Sequence, residues 1–192
     1  LVVTVDEAGT PIGTAPRLAA HRSGGIRHLA VSVVLHDPEG RVLLQQRAAT
    51  KPLFGGRWSN TVCTHPLPRE RPIDAAHRRL REELGVTAAL TRAGQFAYEA
   101  LDPESGLSEN EVDHVFVGVL AHDPTPDPAE VAAVRWIAPD ALAEELAGTP
   151  EQFTPWLRSV LALAALERCT DAPGSGPAGA APSPTPATEE PT

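Results

Sequence analysis

Pro72-Ile73-Asp74-Ala75-Ala76-His77-Arg78-Arg79-Leu80-Arg81-Glu82-Glu83-Leu84-Gly85-Val86 is the stretch that decides how this chain folds. Ala75, Ala76, Leu80 and Leu84 recur at the spacing that lines one face of an α-helix. Pro72 stands where a helix starts and Gly85 where one stops. The other face carries Arg78, Arg79, Arg81, Glu82 and Glu83. A solvated face explains that charge. So does a helix whose acids hold a metal–diphosphate and whose arginines pair with its oxygens.

Strand patterns flank this helix on both sides. Leu1–Asp6 reads as a strand with a turn at Glu7-Ala8-Gly9, and a short helix over Arg17–Arg22 is stopped by Gly24-Gly25. Leu29–Leu35 and Arg41–Arg47 are strands joined by the turn Asp37-Pro38-Glu39-Gly40, and Ala48–Trp58, with Pro52, Gly55 and Gly56, is a loop. Beyond the helix, Gln95–Leu101, Val112–Ala121 and Val131–Ile137 are strands. Pro139–Leu146 and Pro155–Arg168 are helices, the second offering Leu157, Leu161, Leu163 and Leu166 to a core. Strands and helices mixed in this order predict an α/β sandwich over residues 1–168. Residues 169–192 are nearly all Pro, Gly, Ala, Ser and Thr with a few acids, which predicts a disordered tail.

The chain has 192 residues, 42% of them hydrophobic and 21% charged, which suits a soluble globular domain. A net charge of −9 argues against nucleic-acid and anionic-membrane partners. The charge is uneven, however. Residues 8–69 hold eight Arg and Lys against only Asp37 and Glu39, a net of +6. A basic stretch inside an acidic protein suggests a small anionic ligand. The only lysine, Lys51, lies within it. The first residues lack the basic and long apolar segments of a signal peptide, and no apolar run reaches membrane-spanning length. The expectation is a cytoplasmic protein that works as a monomer. Its two cysteines, Cys63 and Cys169, are then reduced, with Cys169 inert.

Two short segments concentrate useful chemistry: Ser59-Asn60-Thr61-Val62-Cys63-Thr64-His65 and Glu109-Asn110-Glu111. In an extended strand, residues two apart face the same way, so Cys63 sits beside His65 and Glu109 beside Glu111. His21, His28 and His65 lie in loops or at element ends near the basic stretch. With the two glutamates they offer three nitrogens and two oxygens, a set that suits manganese, magnesium or zinc. His36, His77, His114 and His122 read as structural. A neighbouring metal or arginine would lower the Cys63 pKa and make the thiol a usable acid or base. In an active site, Tyr98, the single tyrosine, can hydrogen-bond a carboxylate, and the Trp156 indole can steady a cationic carbon.

Taken together, these residues resemble the type 1 isopentenyl-diphosphate isomerases of the Nudix superfamily, from about Val2 to Trp156. The segments Ser59–Pro66, Glu109–Glu111 and Phe153–Trp156 carry the likeness most specifically. The helix is similar to a Nudix box at Glu70, Arg78, Leu80, Glu82, Glu83, Gly85 and Val86. Thr64 replaces the first glycine of that box, and Arg79 replaces the glutamate after its arginine. Both departures weaken the alternative of a pyrophosphohydrolase, which needs its full set of acids to gather metals.

The resemblance implies a Nudix-type α/β/α sandwich with a mixed sheet. It implies interconversion of isopentenyl and dimethylallyl diphosphate, in isoprenoid biosynthesis. His21, His28, His65, Glu109 and Glu111 would hold one divalent metal. Glu83 and the Cys63 main-chain carbonyl would serve a magnesium ion carried with the diphosphate. Arg17, Arg47, Lys51 and Arg79 would grip the phosphates. Cys63 and Glu111 would flank the double bond, Tyr98 would assist Glu111, and Trp156 would face the cationic carbon. The order favoured is Glu111 with Tyr98 as proton donor and Cys63 as base. The final helix and the N-terminal segment are the candidates for a closing lid.

Overall fold

The computed structural model describes residues 1–170. The proline-rich tail from 171 onward, and the side chain of Cys169, lie outside the described residues.

The centre of the molecule is β3 (His28–His36), in which all nine residues are buried. A strand buried on both faces must lie between two apolar layers, and the Leu/Val-rich sequence meets that demand. Val31, Val33 and Leu35 face α2 (Pro72–Leu84), where they pack with Ala75, Ala76, Leu80 and Leu84. Val34 faces the other way, toward α3 (Pro139–Gly148) and α4 (Leu157–Thr170), through Leu142, Leu146, Leu157 and Val160. The result is the expected α/β/α sandwich. Pro72 at the start of α2 and left-handed Gly85 at its end bound that helix as the sequence predicts.

The sheet is mixed. β1 (Val2–Val5) pairs antiparallel with β2 (Pro11–Ala15) and with β3. β4 (Val42–Arg47) joins β3, β5 (Trp58–Ser59) and β9 (Val131–Ile137), all antiparallel. β6 (Val62–Thr64) lies against β3 with Cys63 opposite Ser32. β7 (Leu90–Leu101) runs antiparallel to β8 (Ser108–Val119), and β8 runs parallel to β3. Two registers matter most for the site. His28 on β3 stands opposite Glu111 on β8, and Glu111 stands opposite Tyr98 on β7.

Several boundaries differ from the sequence expectation. β2 lies in a stretch for which the sequence suggests no element; four of its five residues are exposed, so it lacks a hydrophobic pattern. β8 begins at Ser108 rather than Val112, because its polar first residues pair with β7 before β3 joins at Glu111. β7 begins at Leu90, ahead of a bulge at Ala93-Gly94. The final helix is no lid: Leu157, Val160 and Ala164 are wholly or almost wholly buried in the core.

The loop between α1 (Arg17–Ala20) and β3 carries His21 and leads into His28. It docks on β8 through Gly25, where a side chain would meet Asn110 Cβ at 3.0 Å and Ser108 O at 3.3 Å. Gly24 and Gly25 both have left-handed φ, but a side chain on Gly24 would meet nothing within 4 Å. Either glycine changed to alanine loses about 1 kcal/mol in the left-handed conformation. Only Gly25→Ala also pushes the histidine loop away from Glu109 and Glu111. Gly25→Ala is therefore expected to weaken divalent-metal binding severalfold in chelator competition, while Gly24→Ala leaves it near the unsubstituted value. Equal metal affinity in the two variants would refute this packing account.

Candidate active site and metal centre

His28, Ala30 and Ser32 alternate along one face of β3, and Glu109, Glu111 and Asp113 do the same on β8. Parallel pairing sets these two rows side by side at one end of the sheet. His21 enters from the end of α1 and His65 from just beyond β6. The ligating atoms of His21, His28, His65, Glu109 and Glu111 all lie within 4.8 Å of one another. The other four histidines stand apart from this cluster.

The orientation of the rings is fixed from behind. His21 Nδ1 lies 2.6 Å from the Arg17 carbonyl, and His28 Nδ1 lies 2.7 Å from the Ile26 carbonyl. A ring that donates through Nδ1 turns the Nε2 lone pair inward. There His28 Nε2 faces His65 Nε2 at 3.1 Å, and both face Glu111 Oε1, at 3.3 and 2.7 Å. His21 Nε2 faces Glu109 Oε2 at 2.9 Å. Lone pairs aimed at one another in a buried site repel unless a proton or cation lies between them. This donor set fits a divalent metal.

The ionisation pattern has the same origin. Burial pushes the Glu109 carboxyl up to about 7, and the Glu111 charge adds to it. Burial acts on Glu111 too, but the close approach of the His28 and His65 rings outweighs it and holds this carboxyl well below the usual range. Burial lowers His65 to about 4, so its imidazole is neutral, as a metal ligand must be. Burial and the Glu111 charge raise Asp113 to about 8.

Cys63, Tyr98, Glu111 and Trp156 line one cavity of about 280 Å3, together with His21, His65 and Glu109. The Tyr98 hydroxyl donates to Glu111 Oε2 at 2.5 Å. Burial, with the charges of Glu111, Glu109 and Asp113, pushes that hydroxyl well above its ordinary pKa, so it remains a donor. The Trp156 indole N–H points at Cys63 Sγ from 3.1 Å. The lowered thiol pKa anticipated from sequence is absent. Burial and the Asp113 charge drive Cys63 up to about 11, against smaller lowering effects of Ser59, Arg47 and Ser32.

Arg17, Arg47, Lys51 and Arg79 line the same cavity. Arg47 stands over the Trp156 ring, 5.7 Å from its centroid, and bonds the Leu53 carbonyl. Lys51 pairs with Glu130, and Arg79 reaches Glu130 at 3.3 Å. Glu83 is placed differently. It is fully buried, is not among the cavity-lining residues, and is held by Arg79 at 2.5 and 2.9 Å and by Gln45 at 3.2 Å. The other box acids are also engaged by arginine: Glu70 takes two bonds from Arg78, and Glu82 bonds Arg78 and Arg79.

Four residues of the site escape the sequence reading: Ser32, Asn60, Asp113 and Glu130. Asp113 was within reach, since it continues the two-residue rhythm of Glu109 and Glu111. Ser32 follows His28 in the same rhythm on β3, donates to Asp113 Oδ2 at 2.7 Å and approaches Cys63 Sγ at 3.6 Å. Glu130 has no local signal; only the fold brings it to Lys51.

Residues 26–157 match the NUDIX domain family, and the chain belongs to it. In fold it is similar to a solved Deinococcus radiodurans protein, with a TM-score of 0.69 at 20% identity over 85% of this chain and 97% of that one. It is likewise similar to the MutT protein of Methanosarcina mazei Go1, with a TM-score of 0.59 at 20% identity over 76% and 96% of the two chains.

Within that class the chain belongs to the isopentenyl-diphosphate Delta-isomerases. It is 52% identical to the isopentenyl-diphosphate Delta-isomerase of Nocardia farcinica, over 85% of this chain and 93% of the relative. It is 44% identical to that of Halorhodospira halophila, over 83% and 92%. With the Streptomyces griseus isomerase it shares 49% identity, over 82% and 79%.

Only the thiolate reacts with iodoacetamide, so a thiol raised to about 11 resists it at neutral pH. Cys63 alkylation, followed by mass spectrometry of its peptide, is expected to be slow at pH 7 and to accelerate up to the edge of the stable pH range. A plateau already reached by pH 8 would contradict the burial argument.

Proposed function

We propose that this cavity interconverts isopentenyl diphosphate and dimethylallyl diphosphate by adding a proton to one carbon and removing one from another, through a tertiary carbocation. The observation that carries this reading is the placement of Cys63 and the Tyr98–Glu111 pair in a single cavity that Trp156, Arg17, Arg47, Lys51 and Arg79 also line. All of these groups come from one chain, so a monomer suffices.

Moving an unactivated double bond asks for one acid, one base and shelter from water. At rest Cys63 holds its proton and Glu111 does not. In the forward direction we therefore assign the first step to Cys63. Its S–H bond breaks as a C–H bond forms at the terminal alkene carbon, leaving a tertiary cation and a thiolate. Glu111 then takes a proton from the neighbouring methylene, and those electrons form the new double bond. This order reverses the one favoured by sequence, because burial works against the thiolate while the imidazoles favour the carboxylate. The reverse reaction exchanges the two roles. Tyr98 steadies the Glu111 carboxylate throughout, and the Trp156 indole would stabilise the cation.

His21, His28, His65, Glu109 and Glu111 would hold the divalent metal. When bound, it neutralises the two glutamates and fixes the direction of the Glu111 carboxylate. Three imidazole nitrogens suit manganese or zinc better than magnesium. Arg17, Arg47, Lys51 and Arg79 would anchor the diphosphate, so that its binding energy positions the five-carbon end. Glu83 and the Cys63 carbonyl would serve a magnesium ion arriving with the substrate once Arg79 turns from Glu83 toward phosphate. The expected compartment is the cytoplasm.

Cys63→Ala and Glu111→Gln are each expected to lower isomerisation by ~10²–10⁴-fold or more in a folded protein, the range for loss of a general acid or base. Proton NMR in heavy water should show deuterium entering a methyl group of dimethylallyl diphosphate. Near-normal turnover in either variant would sink the assignment. Phosphate release from nucleoside diphosphate derivatives without isomerisation would favour a hydrolase instead.

A further inference from the structure

Asn60 stands between β5 and β6 with none of its surface exposed. Its amide nitrogen donates to the Val33 carbonyl at 3.1 Å and to the Val62 carbonyl at 2.8 Å. Two carbonyl partners identify the nitrogen end of the amide, so the other end is the oxygen. That oxygen lies 3.0 Å from Cys63 Sγ, 3.2 Å from Trp156 Nε1 and 3.2 Å from Ser59 Oγ.

We infer that Asn60 is a positioning residue, which aims the Cys63 thiol and the Trp156 indole into the cavity from one fixed oxygen. This rests on the roles given to Cys63 and Trp156 above. A cysteine side chain turns freely about its Cα–Cβ and Cβ–S bonds, and S–H is a weak donor that orders itself poorly. An acceptor clamped to the backbones of β3 and β6 supplies the missing direction. The other oxygens near the sulfur, Ser59 Oγ at 3.5 Å and Ser32 Oγ at 3.6 Å, stand farther off. The indole N–H is shared between the Asn60 oxygen and the sulfur at 3.1 Å, so one atom ties ring and thiol together. The two ends of the amide divide the work: the nitrogen holds the backbone and the oxygen serves the chemistry.

Small displacements of a reacting group lower rates steeply, on the order of 10²-fold for 1 Å. Asn60→Ala is therefore expected to lower kcat by about 10- to 100-fold. KM should stay within about twofold, because the phosphate-facing cations are untouched. In a Trp156→Phe background, which lacks the indole N–H, the same substitution should cost at least about threefold less in kcat. A change confined to folding would instead lower Tm and multiply independently of Trp156→Phe.

Should Asn60→Ala fail to fold, Asn60→Asp carries the test. It keeps an oxygen toward the sulfur but loses the amide donors that clamp it, so kcat should again fall with KM little changed. Unchanged kcat in the folded variant, equal losses in the two backgrounds, or a loss borne by KM would each overturn the inference. Inactivity of Cys63→Ala beside full activity of Asn60→Ala would reject this inference alone. Activity of Cys63→Ala would reject the reading beneath it.

Discussion

Everything at this site depends on the crowding of five acceptor atoms around one buried point. Imidazoles anchored through Nδ1 to carbonyl groups turn their lone pairs on two carboxylates, in a place that water does not dilute. Such an arrangement is unfavourable by itself and becomes favourable around a positive charge. The fold is what enforces it. β3 and β8 run parallel with His28 opposite Glu111, and the docked glycine turn brings His21 alongside. Glu111 then has a metal ligand's geometry on one side and a tyrosine hydroxyl on the other.

Cys63 belongs to a separate set of supports. Its neighbours are the Asn60 oxygen, the Trp156 N–H and the Ser32 and Ser59 hydroxyls, none of which is ionised. Burial, helped by the Asp113 charge, keeps the proton on sulfur, whereas the imidazoles keep it off Glu111. Two groups in one cavity, with opposite proton occupancy set by opposite environments, are what a reversible double-bond shift requires. The cationic side is balanced more tightly. Arg79 is shared among Glu82, Glu83 and Glu130, so a phosphate group binding there, as proposed, would compete with acids already in place.

Much of this was legible in the sequence where a local rule applied. The period of α2, bounded by Pro72 and Gly85, fixed one layer of the sandwich. The two-residue spacing of Glu109 and Glu111 correctly placed both carboxylates in one space. Local rules failed where tertiary pairing decides. β2 has no apolar rhythm because its faces are solvated, and β8 starts in polar residues because β7 pairs with them. The thiol pKa went the other way from expectation, since burial is invisible in a sequence and here outweighs nearby charge. Glu83 likewise read as open to a cation but sits beneath Arg79, a contact that four residues of helix make natural.

The central claim is that three histidines and two glutamates converge on a single metal. X-ray absorption at the metal edge of protein loaded with manganese or zinc tests it most directly. The account predicts a coordination shell of imidazole nitrogen and carboxylate oxygen, with the outer-shell scattering of about three histidine rings, and loss of one ring in His28→Ala. A shell of oxygen alone, or one unaltered in His28→Ala, would contradict it.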